Sequence, residues 1–202
     1  QLSHVRQPTI QPEAFDTRPA VRFHGDDWLG RESFQGLATG DQGFHVLMAM
    51  KALPNPMQPS QRLLDLNSRN SGESDFPKRR GFWVGYQQGR GKVRLGIQNG
   101  DEGEALSNVW NAKPNLIETI YAGEQGFAIY VNGRREQRGA FNGTHFLGFE
   151  NVVSIALGQH FDLDDSKKTY YEGDLAEVLI YNRPLTASER NEIGSYLSTK
   201  YS

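Results

Sequence analysis

The chain has 202 residues, no cysteine and a formal net charge of -2. That length is enough to bury a substantial core without disulfide staples, and the absent cysteine excludes thiol chemistry. The near-neutral charge argues against nucleic acid as a partner, and no apolar run approaches the roughly 20 residues of a membrane span. The opening QLSHVRQPTIQPEAF has no initiator Met and no basic leader, so it reads as a mature product or an excised domain. Twenty-two glycines, nine prolines and 11% aromatic residues point to many short strands joined by tight turns.

In chain order, residues 1–18 read as a lead-in, and the pattern starts at Val21-Arg22-Phe23. Gly43 to Lys51 predicts a strand with Phe44, Val46, Met48 and Met50 on one face. Leu63 to Leu66 is a short strand between two polar loops. The stretch GFWVGYQQGRGKVRLGIQNG predicts a hairpin of Phe82 to Gln87 and Lys92 to Gln98. In ETIYAGEQGFAIYVNGRREQ a further pair of strands is expected, with Asn132-Gly133 as a two-residue turn. Val152 to His160 and Asp174 to Tyr181 supply the last two. Pro184 then ends the sheet, and Thr186 with Glu189 forms a capping box that opens a helix over 186–201. Ile193, Leu197 and Tyr201 fall on one face of it. The expected architecture is one all-β domain over 1–202, a two-sheet antiparallel jelly-roll sandwich with a short C-terminal helix.

Four segments in this order resemble the LamG-like jelly roll of the concanavalin A-like lectin and glucanase superfamily. They are PAVRFHGDDWL (Pro19 to Leu29), FAIYVNGR (Phe127 to Arg134), VSIALGQ (Val153 to Gln159) and GDLAEVLIYNRPLTASERNEIGSYLSTKY. The resemblance implies two packed sheets with a concave face, and rim loops that often carry ligand or Ca²⁺. It also implies a non-catalytic module of a larger secreted or cell-surface protein. One departure is Ala176, which stands where the family's closing strand often has Asp.

Glu172-x-Asp174-x-x-Glu177 is also the carboxylate spacing of laminarinase-type hydrolases. Retaining hydrolysis needs two carboxyl groups roughly 5–5.5 Å apart. On a regular strand Glu177 falls on the opposite face from Glu172 and Asp174, and only a bulge would bring it round. The favoured reading is therefore a structural closing strand with no catalytic residue. No Gly-x-Ser-x-Gly elbow or His-Glu-x-x-His pair is present.

Sugar binding needs an aromatic face for pyranose C–H groups and planar polar groups for hydroxyls. In the 82–98 hairpin, Phe82, Val84 and Tyr86 alternate with Trp83, Gly85 and Gln87, and Arg94, Gly96 and Gln98 follow on the partner strand. Trp83, Gln87, Arg94 and Gln98 are thus expected to form a polar platform, with Trp83 opposite Gly96. Trp28 and Trp110 read as core or loop anchors. The loop HFDLDDSKKTYYEGD adds His160, Tyr170 and Tyr171 as ligand contacts. Its Asp162, Asp164 and Asp165 are candidate Ca²⁺ ligands, although Lys167 and Lys168 would balance the same charge in a solvated loop. The expected function is binding of an extracellular polysaccharide or glycan. The rival is a protein-interaction or adhesion module using the same rim, with a glycoside hydrolase behind both.

Overall fold

The computed structural model describes residues 7–34, 36–37, 43–53, 60–68, 80–87, 90–97, 101–104, 109, 111–122, 126–139, 153–159 and 169–201. Among these, thirteen strands form two antiparallel sheets and one helix follows. The first sheet has seven strands in the order β1 (Thr9–Phe15), β2 (Arg18–His24), β13 (Glu172–Tyr181), β4 (Phe44–Ala52), β9 (Asn115–Tyr121), β10 (Phe127–Val131), β11 (Arg134–Gly139). The second has six, in the order β3 (Leu29–Phe34), β12 (Val153–Leu157), β5 (Ser60–Ser68), β6 (Arg80–Gln87), β7 (Arg90–Ile97), β8 (Asp101–Glu104). Successive strands change sheet at β2–β3, β3–β4, β4–β5, β8–β9, β11–β12 and β12–β13.

Alternation of side chains builds the core between the sheets. Phe44, Val46, Met48 and Met50 of β4 face inward as the spacing predicts, and meet Leu64 and Leu66 of β5 and Phe82 and Val84 of β6. The other face of β4 is buried too. Leu47 and Ala49 pack with Ala14, Phe15, Leu197 and Tyr201 in a second cluster beneath α1 (Ala187–Tyr201). The helix begins where the capping box places it. Glu189 N–H donates to Thr186 Oγ1 at 3.3 Å, and Thr186 N–H donates to Glu189 Oε2 at 2.8 Å.

The lead-in proves to contain β1, an edge strand paired with β2. Its signal is weak because Pro12 interrupts the run and Ile10 points to solvent, both features of an edge strand. The Asn132-Gly133 turn has φ of 51° and 75°, the left-handed pair of a tight hairpin between β10 and β11. Among the described residues, no helix is long and apolar enough to cross a membrane.

Candidate functional site

The carboxylate triplet of β13 lies on the outer face of the seven-stranded sheet. The required bulge exists: register shifts between Leu175 and Glu177, and Glu177 turns to the helix side. Each of the two downstream carboxylates is nevertheless taken. Asp174 is fully buried and accepts from Arg22 Nε at 2.7 Å and Nη2 at 2.8 Å. Glu177 accepts from Lys200 Nζ at 2.9 Å and the Tyr201 hydroxyl at 2.8 Å. Burial works to raise the Glu177 carboxyl, but the Lys200 and Tyr201 bonds outweigh it and hold its pKa below the usual range. The arrangement joins strands and helix. Gly173, at φ 149°, lets β13 enter the sheet, where a Cβ would lie 2.5 Å from the Lys51 carbonyl oxygen. Ala176 packs beneath the helix, so the position where the family often carries Asp serves an apolar contact here.

The outer face of the six-stranded sheet is different. Register places Gly30, Ala156, Asp65, Trp83, Gly96 and Glu102 in one row across its strands. Their sequence neighbours Ile155, Leu157, Leu64, Leu66, Phe82 and Val84 face the core, which turns the row outward. Trp83 stands opposite Gly96, as expected. It is not a bare platform, however. The Arg62 guanidinium lies 3.3 Å from the ring centroid, and Trp83 retains only 9% exposure. Asp65, its lateral neighbour, is 2% exposed. At the far side of the row Trp28 folds over Gly30, where a Cβ would come within 2.0 Å of the indole. Gly30 and Trp83 are separated by three strand spacings, roughly 14 Å at the backbone. Trp28 and Trp83 therefore stand on either side of Ala156 and the buried Asp65.

Sequence reasoning found Trp83 and its partner glycine but passed over Arg62 and Asp65. The available signal was the charge inside Leu-Leu-Asp-Leu, since a polar residue between inward leucines must face outward. Gln87 and Arg94 occupy register positions opposite Arg90 and Gly85. Gln98, Trp110, His160, Asp162, Asp164 and Asp165 lie outside the described residues. Among the described residues, no group of three His, Asp or Glu side chains is placed to hold a metal.

Tyr170 is half-buried at an isolated bridge with Gln159. Tyr171 needs correction as a ligand contact. It is fully buried, packs edge-on against Phe23 with centroids 5.8 Å apart, and donates its hydroxyl to the Asp174 carbonyl at 3.3 Å. The chain alternates here, so the residue after a rim tyrosine points into the core. Burial drives the Tyr171 hydroxyl pKa well up, which keeps it a neutral donor.

A family model described as Laminin_G_3, concanavalin A-like lectin/glucanases superfamily, matches residues 53–189, more than half the chain. The chain belongs to this family. Comparison with curated proteins by sequence gave no match. Among solved structures, the Laminin_G_3 chain is similar to the CBM40 of a Ruminococcus gnavus IT-sialidase, at 15% identity and a TM-score of 0.57. That similarity covers 82% of this chain and 98% of the other. A heptameric SAP-like pentraxin from Limulus polyphemus is similar at 15% identity and a TM-score of 0.59, over 91% and 81% of the two chains. Domains LG4-5 of the mouse laminin alpha1 chain are similar at 12% identity and a TM-score of 0.54, over 77% and 40%. At these identities the likeness establishes the sandwich fold.

Proposed function

We propose that this chain is a non-catalytic, lectin-like module of an extracellular protein, binding a glycan on the outer face of its six-stranded sheet. One observation carries the reading: Trp28 and Trp83 flank a row in which Asp65 is recessed, and Arg62 stacks on Trp83. Indoles offer apolar contact to pyranose C–H groups, and the guanidinium offers a directed donor for hydroxyls. A related fold, the R. gnavus sialidase CBM40, has been solved bound to alpha2,3 sialyllactose, which makes sialylated glycans one arm of the test. The acidic rim loop with Asp162, Asp164 and Asp165 is proposed as a Ca²⁺ site that supports the same ligand.

Affinity electrophoresis against plant, algal, microbial and sialylated glycans, with Ca²⁺ and with EDTA, tests this. Retardation by one glycan, abolished in both Trp83→Ala and Asp65→Asn, supports this face. Retention in both variants with loss in EDTA moves the site to the rim. No retardation on any glycan overturns the lectin reading and favours a protein partner.

A further inference from the structure

On the opposite side of the molecule a groove of about 700 Å³ runs between α1 and the outer face of the seven-stranded sheet. Its size falls in the range of small-molecule sites. Its accessible apolar lining is the exposed Pro114 and the half-buried Leu116, with Phe15, Leu47 and Leu197 buried behind them. Along one rim α1 presents the exposed Asn191, Ser195, Ser198 and Thr199. The Asn132-Gly133 turn forms part of the lining, but Asn132 is committed. Its Oδ1 accepts from Leu116 N–H at 2.8 Å and its Nδ2 donates to Asn115 Oδ1 at 3.0 Å.

Charge decides the class of ligand. Among the described residues, the charged side chains in the lining are Glu118 and Arg190, and they bind each other through two hydrogen bonds. His45 Nε2 lies 2.8 Å from Glu118, and the Tyr130 hydroxyl accepts from Arg190 at 3.3 Å. The described lining thus presents no uncompensated charge to a guest.

Gly194 supplies an independent observation. It sits in the middle of α1 and lines the groove, although glycine is among the poorest helix formers. A Cβ built there meets nothing within 4 Å, so no neighbouring residue requires glycine. Glycine there leaves open space at the edge of the groove.

We infer that this groove is a second binding site, for an uncharged amphiphile. Its apolar body lies against Pro114 and Leu116, and its hydroxyl or amide groups meet the α1 rim. The site is separate from the glycan face and stands if that reading fails.

The test is ¹⁵N-resolved NMR of the full chain, titrated with n-octyl β-D-glucoside below its micellar concentration. The expected result is saturable shifts at Asn191, Gly194, Ser195 and Gly133. Gly194→Leu should keep the fold and weaken binding at least roughly tenfold, about 1.4 kcal/mol. Gly194→Ala, which only part-fills the space, should fall between. An anionic octyl sulfate should bind more weakly than the glucoside. Shifts that never saturate, shifts confined to the Trp83 face, or equal affinity in Gly194→Leu would each overturn the inference.

Discussion

Removing either member of the Arg22–Asp174 pair should destabilise the sandwich, and by unequal amounts. Asp174 is fully buried, whereas the Arg22 side chain keeps 29% exposure. Arg22→Met strands a carboxylate with no route to water, the situation that costs about 3–5 kcal/mol for a buried pair. Asp174→Asn preserves shape and leaves the charge on the partner that already reaches solvent. Its cost is the loss of charge-assisted bonds, about 1.5–3 kcal/mol. The double variant should cost less than the sum, because the stranded charge is gone. Urea unfolding followed by tryptophan fluorescence measures all three. If Asp174→Asn proves costlier than Arg22→Met, or both lie below about 0.5 kcal/mol, the desolvation reasoning is wrong. Glycan retardation should survive both substitutions when corrected for folded protein, since the pair lies on the sheet opposite the glycan face.

Gly173→Ala should cost about 2–3 kcal/mol, because it combines a left-handed backbone with a contact on the Lys51 carbonyl; an unchanged melting temperature would contradict this. Thr186→Ala removes the helix cap and should cost about 1 kcal/mol, read in thermal unfolding followed by circular dichroism at 222 nm. Glu189 is held at a pKa of about 2 by Arg183 and by its bonds to Thr186. A depressed folded pKa gives stability that is complete above the ordinary value of 4.5 and fades as pH falls toward 2. The slope of melting temperature over that window should therefore flatten in Glu189→Gln, and an identical slope would remove Glu189 from the account. The glycan and amphiphile titrations above supply two further checks, on Trp83 and Gly194.

The inward faces were legible because alternation reports burial directly. Phe44, Val46, Met48 and Met50 could be assigned from spacing alone, and so could the T-x-x-E helix start. β1 was not legible, since an edge strand with Pro12 and an exposed Ile10 carries no periodic signal. At Tyr170-Tyr171 composition misled: two adjacent tyrosines in a polar loop look equivalent, yet alternation sends one to the rim and the other against Phe23. The row between the two indoles required register across strands. Gly30, Ala156, Asp65 and Trp83 come from four separate segments, and only pairing sets them side by side. The same holds for His45, Glu118 and Arg190, whose meeting depends on how the helix lies over the sheet.

The two outer faces have been given different work. On the seven-stranded sheet, Asp174, Glu177 and Glu118 each accept from a basic side chain of the chain itself, two of them from α1. Burial alone would raise the Glu118 carboxyl, but Arg190 and His45 hold it below the usual range, so it stays ionised as the helix docks. Carboxylates held this way fasten a helix and are poor general acids, because a proton donor near neutral pH needs a raised pKa. Within the β13 triplet, Asp174 is bound to Arg22 and Glu177 to Lys200. On the six-stranded sheet Ala156 and Asp65 stand between the two indoles, and position 30 is glycine because Trp28 lies where a Cβ would be. The Glu118–Arg190 and Glu177–Lys200 pairs that fasten α1 lie on the other sheet, so Trp83→Ala tests the proposed glycan face without loosening the helix.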